Sequence, residues 1–348
     1  MKRARFTCRI KSARLILGVG GILSAGLAGV PAGAATDHYA EEQIRYIATY
    51  FPGRMAGSPA ELMAAQYLQR HLAQMGYQSD LRTFNTRYQY HGGDGKADWR
   101  KIAATSVIAA KAGTTGGEIL IIAHSDTFMP RSDGDLNNNF GGLTLQGVDD
   151  NAFGVGVMLD LARRLGREPR AVGVRFVALS GGEPDTLGAE DYLQRMSPQE
   201  KRNTLLVINL DSLLGGEKLR VDYSPDSGDG RLQGLVKTLG TRARQQGIPL
   251  ILDGAIRTDA PCVTDALPFA KAGFAVLDVG SGTAQGRCLE RKPSRNFPQG
   301  MVRYRSPLDN LTYLDRHLTG QIGKRARDSM ALLWPMLDEL TGGDKPRG

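Results

Sequence analysis

Three places in this sequence set ligand-type side chains at the ends of apolar runs. Ile119-Leu120-Ile121-Ile122-Ala123 is followed by His124-Ser125-Asp126, and Leu206-Val207-Ile208-Asn209-Leu210 by Asp211. Between them, Gly147-Val148-Asp149-Asp150-Asn151-Ala152-Phe153-Gly154 reads as a turn entering a helix. Charged groups that end buried strands are costly unless a metal or a partner compensates them. A neutral His with carboxylates is a donor set that zinc takes, and Asp126 is placed to orient the His124 ring from behind. Singly, each has a plain structural reading. A His-x-Asp can end a strand, an Asp-Asp-Asn turn can cap a helix, and Asp211 can cap a loop. Together, in this order, they point to a metal centre.

Such a centre needs elements to carry it. Apolar spacing predicts a helix over residues 37–51. Ser58-Pro59-Ala60-Glu61 starts another, with Ser58 as cap, Pro59 in the first turn and Glu61 reaching back to the cap amide. Its stripe of Leu62, Ala65, Leu68, Leu72 and Met75 runs to Gly76. Residues 78–90 alternate like a strand, and 91–101 reads as a polar connection. Short Ile- and Val-rich runs at 105–110, 118–123, 172–179, 205–210 and 274–279 read as further strands. Helices are expected at 155–165, 189–196 and 232–246, with one long closing helix over 317–340. Strands alternating with helices predict an α/β fold, a three-layer sandwich whose mostly parallel central sheet is covered by helices on both faces. Open sheets of this kind hold their sites at the carboxyl ends of the strands. His124, the Asp149-Asp150 turn and Asp211 all fall there.

With these motifs in hand, the chain resembles the M28 family of zinc metallopeptidases, and within it the bacterial alkaline phosphatase isozyme conversion aminopeptidases. The matching stretches also include Gly53-Arg54-Met55-Ala56-Gly57-Ser58-Pro59-Ala60 and Thr264-Asp265-Ala266-Leu267-Pro268-Phe269-Ala270-Lys271-Ala272-Gly273, and run from about Ile44 to Leu314. The resemblance implies a zinc-exopeptidase-like fold and two zinc ions bridged by one Asp. It assigns His124, Asp150 (the bridge) and Asp211 to the first ion. The second takes the latter residue of a Glu-Glu pair and a late His, and the first Glu of that pair is the general base. The implied substrate is the N-terminus of a peptide or secreted protein, with a basic first residue such as arginine.

The sequence departs from that pattern in one half of the site. Arg175 to Glu183 aligns without gaps, and Leu187-Gly188 holds the register. Gly182 therefore stands where the base belongs and Glu183 where the second-metal ligand belongs. Sliding by one makes Glu183 the base and puts Pro184 at the ligand position, but breaks the register on both sides. Asp126 and Glu183 are thus the catalytic candidates. In Tyr304-Arg305-Ser306-Pro307-Leu308-Asp309-Asn310, Arg305, or Tyr304 if the turn shifts by one, replaces the late His. A guanidinium is always protonated and cannot ligate zinc, but it supplies positive charge, here expected between Asp150 and Glu183. One zinc site is expected whole and the second in doubt. On this reading activity is low and returns in part only with Gly182→Glu together with Arg305→His.

The remaining features bound the protein's class. Lys2, Arg3, Arg5, Arg9, Lys11 and Arg14 precede the apolar run Leu15–Val30 and Ala32-Gly33-Ala34. This is the pattern of a signal peptide cleaved near Ala34 or Ala35. Residues 1–35 are accordingly a leader, 36–348 a single domain, and the mature protein periplasmic or secreted. The chain has 44 Lys+Arg and 36 Asp+Glu. Six of the basic residues lie in the leader, which leaves 38 basic against 36 acidic residues, a net of +2. Neither nucleic-acid binding nor, after cleavage, a membrane association is expected. Cys262 and Cys288 remain as one candidate disulfide pair. Two other readings stay open. One is a single-metal, non-catalytic peptide-binding protein with the same fold; the other is a cyclising acyltransferase like the glutaminyl cyclases.

Overall fold

The computed structural model describes residues 37–182, 185–224, 230–256, 263–282 and 307–342. The expected leader, residues 1–35, lies outside them. The first elements are α1 (Tyr39–Tyr50), α2 (Pro59–Gln74), β1 (Gln78–His91), β2 (Ala97–Lys111) and β3 (Glu118–His124). Next come α3 (Asp133–Asn137), α4 (Gly154–Leu165), β4 (Gly173–Leu179), α5 (Leu187–Arg195), α6 (Pro198–Asn203) and β5 (Thr204–Leu210). The chain continues through β6 (Lys218–Tyr223), α7 (Arg231–Gln245), β7 (Leu250–Ala255), α8 (Ala266–Lys271) and β8 (Val276–Gly282). It closes with α9 (Leu311–His317) and α10 (Gln321–Thr341).

The eight strands form one sheet in the order β1-β2-β4-β3-β5-β8-β6-β7. Its centre, β4-β3-β5-β8, is parallel as expected, and β6 with β7 adds a further parallel pair. The joins β1-β2, β2-β4 and β8-β6 are antiparallel, so the sheet as a whole is mixed. The layering follows from strand periodicity. Ile119, Ile121 and Ala123 of β3 enter the larger core, shared with α1, α4 and α10, while Leu120 and Ile122 enter a second core with α5 and α8. A strand buried on both faces reads as a continuous apolar run, and β3 and β5 do so.

Several boundaries differ from expectation. Residues 97–101 are not a connection. They extend β2, which pairs with β1 from Gln78↔Ala110 to His91↔Ala97. Their polarity follows from exposure on both faces, and Arg87 over Trp99 with Arg100 over Tyr90 stabilises this ribbon through cation–π contacts. β6 escapes sequence reading because it buries charge: Arg220 bonds Asp222 at 3.0 Å inside it. The closing helix is two helices, broken at Leu318–Gly320 where Gly320 takes φ +71°. At α2, Ser58 caps the Glu61 amide as expected, but the Glu61 carboxylate bypasses the cap and accepts from Gly57 N–H and Thr105 N–H.

Candidate metal centre

β3, the turn before α4, and β5 deliver one donor each to a common point. His124 Nε2 lies 2.9 Å from Asp150 Oδ1 and 3.6 Å from Asp211 Oδ1. Donor atoms of all three lie within 4.8 Å of one another. Donors bound at zinc distances in tetrahedral array sit roughly 3.4 Å apart, so this imidazole and these two carboxylates fit one ion. The ring is held from behind. His124 Nδ1 is 3.1 Å from the Asp126 carbonyl oxygen and 3.6 Å from the Asp126 carboxylate, so the main chain is the nearer partner. The Asp126 carboxylate itself accepts from Gly182 N–H at 3.2 Å. Burial opposes charge on the His124 ring, yet Asp126, Asp150 and Asp211 together hold its pKa well above the usual value. That is the signature of a site with more negative charge than its own residues neutralise.

The turn that presents Asp150 is irregular, and side chains rather than helical bonds shape it. Asn151 donates to the carbonyls of His124 and Leu210 and accepts from Gly154 N–H, which joins the ends of β3 and β5 to the start of α4. Asp309 accepts from the N–H groups of Asp149 and Asp150 at 2.8 and 3.1 Å. Burial, and then the Asp149 carboxylate, push the Asp309 carboxyl well above its ordinary range.

Beneath the centre lies Arg54, 1% exposed. Its guanidinium donates to the carbonyls of Ser125, Phe51, Gln146 and Gly147 and so grips both the His124–Asp126 segment and the approach to Asp150. Burial pulls its pKa down to about 10, while Asp309, Asp126 and Asp150 act in the opposite sense. Arg54, Asn151 and Asp309 lie inside motifs visible in the sequence, but their roles depend on contacts made across long stretches of chain.

Sequence comparison places the chain in a family. The model of peptidase family M28 matches residues 106–330. The alkaline phosphatase isozyme conversion protein of Escherichia coli K12 is 43% identical over 345 residues, covering 95% of this chain and 97% of that one. The chain belongs to peptidase family M28. Among solved structures, a zinc aminopeptidase from Bacillus subtilis superposes with a TM-score of 0.63 at 15% identity, over 88% of this chain and 96% of that one. A glutaminyl cyclase from Porphyromonas gingivalis gives 0.63 at 19% identity, over 87% and 97%. At these identities the structural likeness speaks for the M28 fold alone.

In this M28 chain, Gly182 closes directly against His124. A Cβ at 182 would sit 2.6 Å from His124 Cβ, 2.9 Å from His124 Cγ and 3.0 Å from Asp265 Oδ2. The backbone as it stands therefore has no space for a base side chain there, and Gly182→Glu requires the backbone at 182 or His124 to move. Asp265 is buried beside this contact, and its Oδ1 has no hydrogen-bond partner among the described residues. Burial raises its carboxyl to about 7 against the opposing influence of His124, with Asp126, Asp211 and Asp278 adding to the rise. Glu183, Tyr304, Arg305, Cys262 and Cys288 lie outside the described residues. His91 ends β1, and His317 closes α9 against the Tyr313 ring.

Proposed function

We propose that this protein is an exported zinc aminopeptidase that removes N-terminal residues from peptides or a secreted protein, built on one intact zinc site. The convergence of His124, Asp150 and Asp211 on one point, in a member of family M28, carries the reading. Zinc bound there would polarise the scissile carbonyl and activate water. This chain's residues would do the rest. The Asp126 carbonyl accepts from His124 Nδ1–H and so fixes the tautomer that leaves Nε2 free to ligate. Asn151 and Asp309 hold the turn that presents Asp150. Gly182 offers no proton acceptor, and loss of a general base costs about 10²–10⁴-fold in rate, so turnover is slow. On the likeness to the family, Glu183 is the acidic residue left to the second half-site, and Arg305 stands in sequence where its late His belongs. Arginine is the proposed first residue of the substrate, on the likeness to the isozyme-conversion group.

The contact between Gly182 and His124 favours one alternative: a zinc-dependent peptide-binding protein that has given up catalysis. One experiment separates the two. Purified protein is assayed for zinc and for hydrolysis of an arginyl amide, beside Asp211→Ala. The proposal expects one zinc per chain, lost in the variant, and hydrolysis below the ordinary enzyme range of about 1–10³ s⁻¹. Zinc binding with no hydrolysis selects the peptide-binding reading, and absence of zinc removes both. Export is checked by N-terminal sequencing of the protein from cells, expected to begin near Ala35 or Thr36. An intact Met1 on a soluble product contradicts it.

A further inference from the structure

The opposite end of the sheet holds a second concave site. Where β3, β5 and β8 begin, a cavity of about 680 Å³ opens between α6, the first turns of α7 and the end of α10. That volume lies in the range of small-molecule pockets. Leu205, Leu206, Leu232, Leu235, Phe274 and Leu340 form its apolar floor. Leu205 is 52% and Leu340 36% exposed. Lys201, Arg202 and Arg231 line it as well, and among the described residues no carboxylate does. Of the acidic residues beside the lining residues in sequence, Glu118 and Glu200 pair with Arg175 and Asp338 pairs with Arg170, while Glu339, next to Leu340, is exposed outside the lining. Arg202 donates to the neutral amide of Gln199.

An apolar floor lined by cations, with no carboxylate among the described lining residues, selects among ligands. A cationic amphiphile meets like charge, and a neutral one gains nothing from the three cations. A small, fully hydrophilic anion leaves the floor exposed. We propose that this cavity binds a free, single-chain aliphatic carboxylate, with its chain over the leucines and its head group among Lys201, Arg202 and Arg231. The volume suits one chain and not a two-chain membrane lipid. The site is separate from the metal centre: β3 and β5 run from the cavity to His124 and Asp211, about 20 Å away at the rise of a strand.

The test is calorimetric titration of the zinc-loaded protein with octanoate, decanoate and dodecanoate, each below its micellar concentration. Affinity is expected to rise about four-fold per added methylene until the chain fills the cavity. Dodecyltrimethylammonium should bind at least ten-fold more weakly than dodecanoate. Lys201→Glu with Arg202→Glu should weaken decanoate at least ten-fold with zinc content and melting temperature unchanged. Leu205→Asp, at an exposed position, should abolish the chain-length dependence. Absence of binding up to the solubility limit, equal binding of the cationic amphiphile, or affinities untouched by both variants would each overturn the proposal.

Discussion

Gly182 and Arg54 shape the metal centre without donating to it. At Gly182 even a methyl group collides with the β-carbon of His124, an atom with no freedom to turn aside. Overpacking of this kind costs typically 1–3 kcal/mol. Gly182→Ala is therefore expected to weaken zinc about ten- to hundred-fold in a chelator competition. An unchanged affinity would show that the backbone at 182 yields and His124 does not. Arg54 is the buried cation that neighbours Asp126, Asp150 and Asp309. Arg54→Met leaves those carboxylates uncompensated and four carbonyls without their donor, at a cost of about 3–5 kcal/mol in denaturant unfolding. Arg54→Lys keeps the charge but not the planar fork, and is expected to recover zinc affinity in part and stability less. Equal loss in both variants would mean that hydrogen bonding alone matters at this position.

Among the elements, α2 is tied to the sheet by one carboxylate. Glu61 accepts from Thr105 N–H on β2, from Gly57 N–H, and from the Ser180 hydroxyl at the end of β4, two residues before Gly182. Burial raises its carboxyl to about 7, against the Ser180, Thr105 and Gly57 hydrogen bonds. The protonated form is thus favoured on folding. The stability Glu61 contributes is full below its unfolded value near 4.5 and is lost as pH rises through about 7. Relative to Glu61→Gln, whose amide does not titrate, the native protein should lose of order 3 kcal/mol across that window and stay level above it. A difference that is flat with pH between about 4.5 and 7 would contradict this, and would mean that the three hydrogen bonds outweigh burial.

Over the whole molecule, the metal point joins elements distant in the chain. β3, the turn before α4, and β5 meet there through His124, Asp150, Asp211 and the bonds of Asn151 to both strand ends. A ligand that binds the folded state alone stabilises it by mass action, about 2.7 kcal/mol at roughly one hundred times its dissociation constant. Stripping the metal with a chelator should therefore lower the melting temperature, and adding zinc back should restore it. In Asp211→Ala the same treatment should have little effect. A melting temperature indifferent to chelation in the native protein would argue against a resident ion.

Much of this was legible in the residues themselves. The apolar runs of β3 and β5 demand burial on both faces, and a polar ligand-type residue at the end of each fixes which edge of the sheet bears the site. His124 and Asp211 were therefore readable together, because the carboxyl ends of the adjacent parallel strands β3 and β5 share one edge, and Asp150 was readable from the Asp-Asp-Asn turn between them. The outer strands were not. β6 buries an Arg220–Asp222 pair that hides its period, and residues 97–101 are polar because the β1–β2 ribbon is exposed on both faces. Arg54 stands in a motif visible in the sequence, but its role was not legible there, because its partners Ser125 and Gly147 lie 71 and 93 residues away along the chain. Gly182 reads as a missing side chain, and only packing reveals the opposite constraint, that His124 occupies the space. Local pattern records what an element must bury, whereas electrostatic compensation and steric exclusion depend on which distant segments the fold brings together.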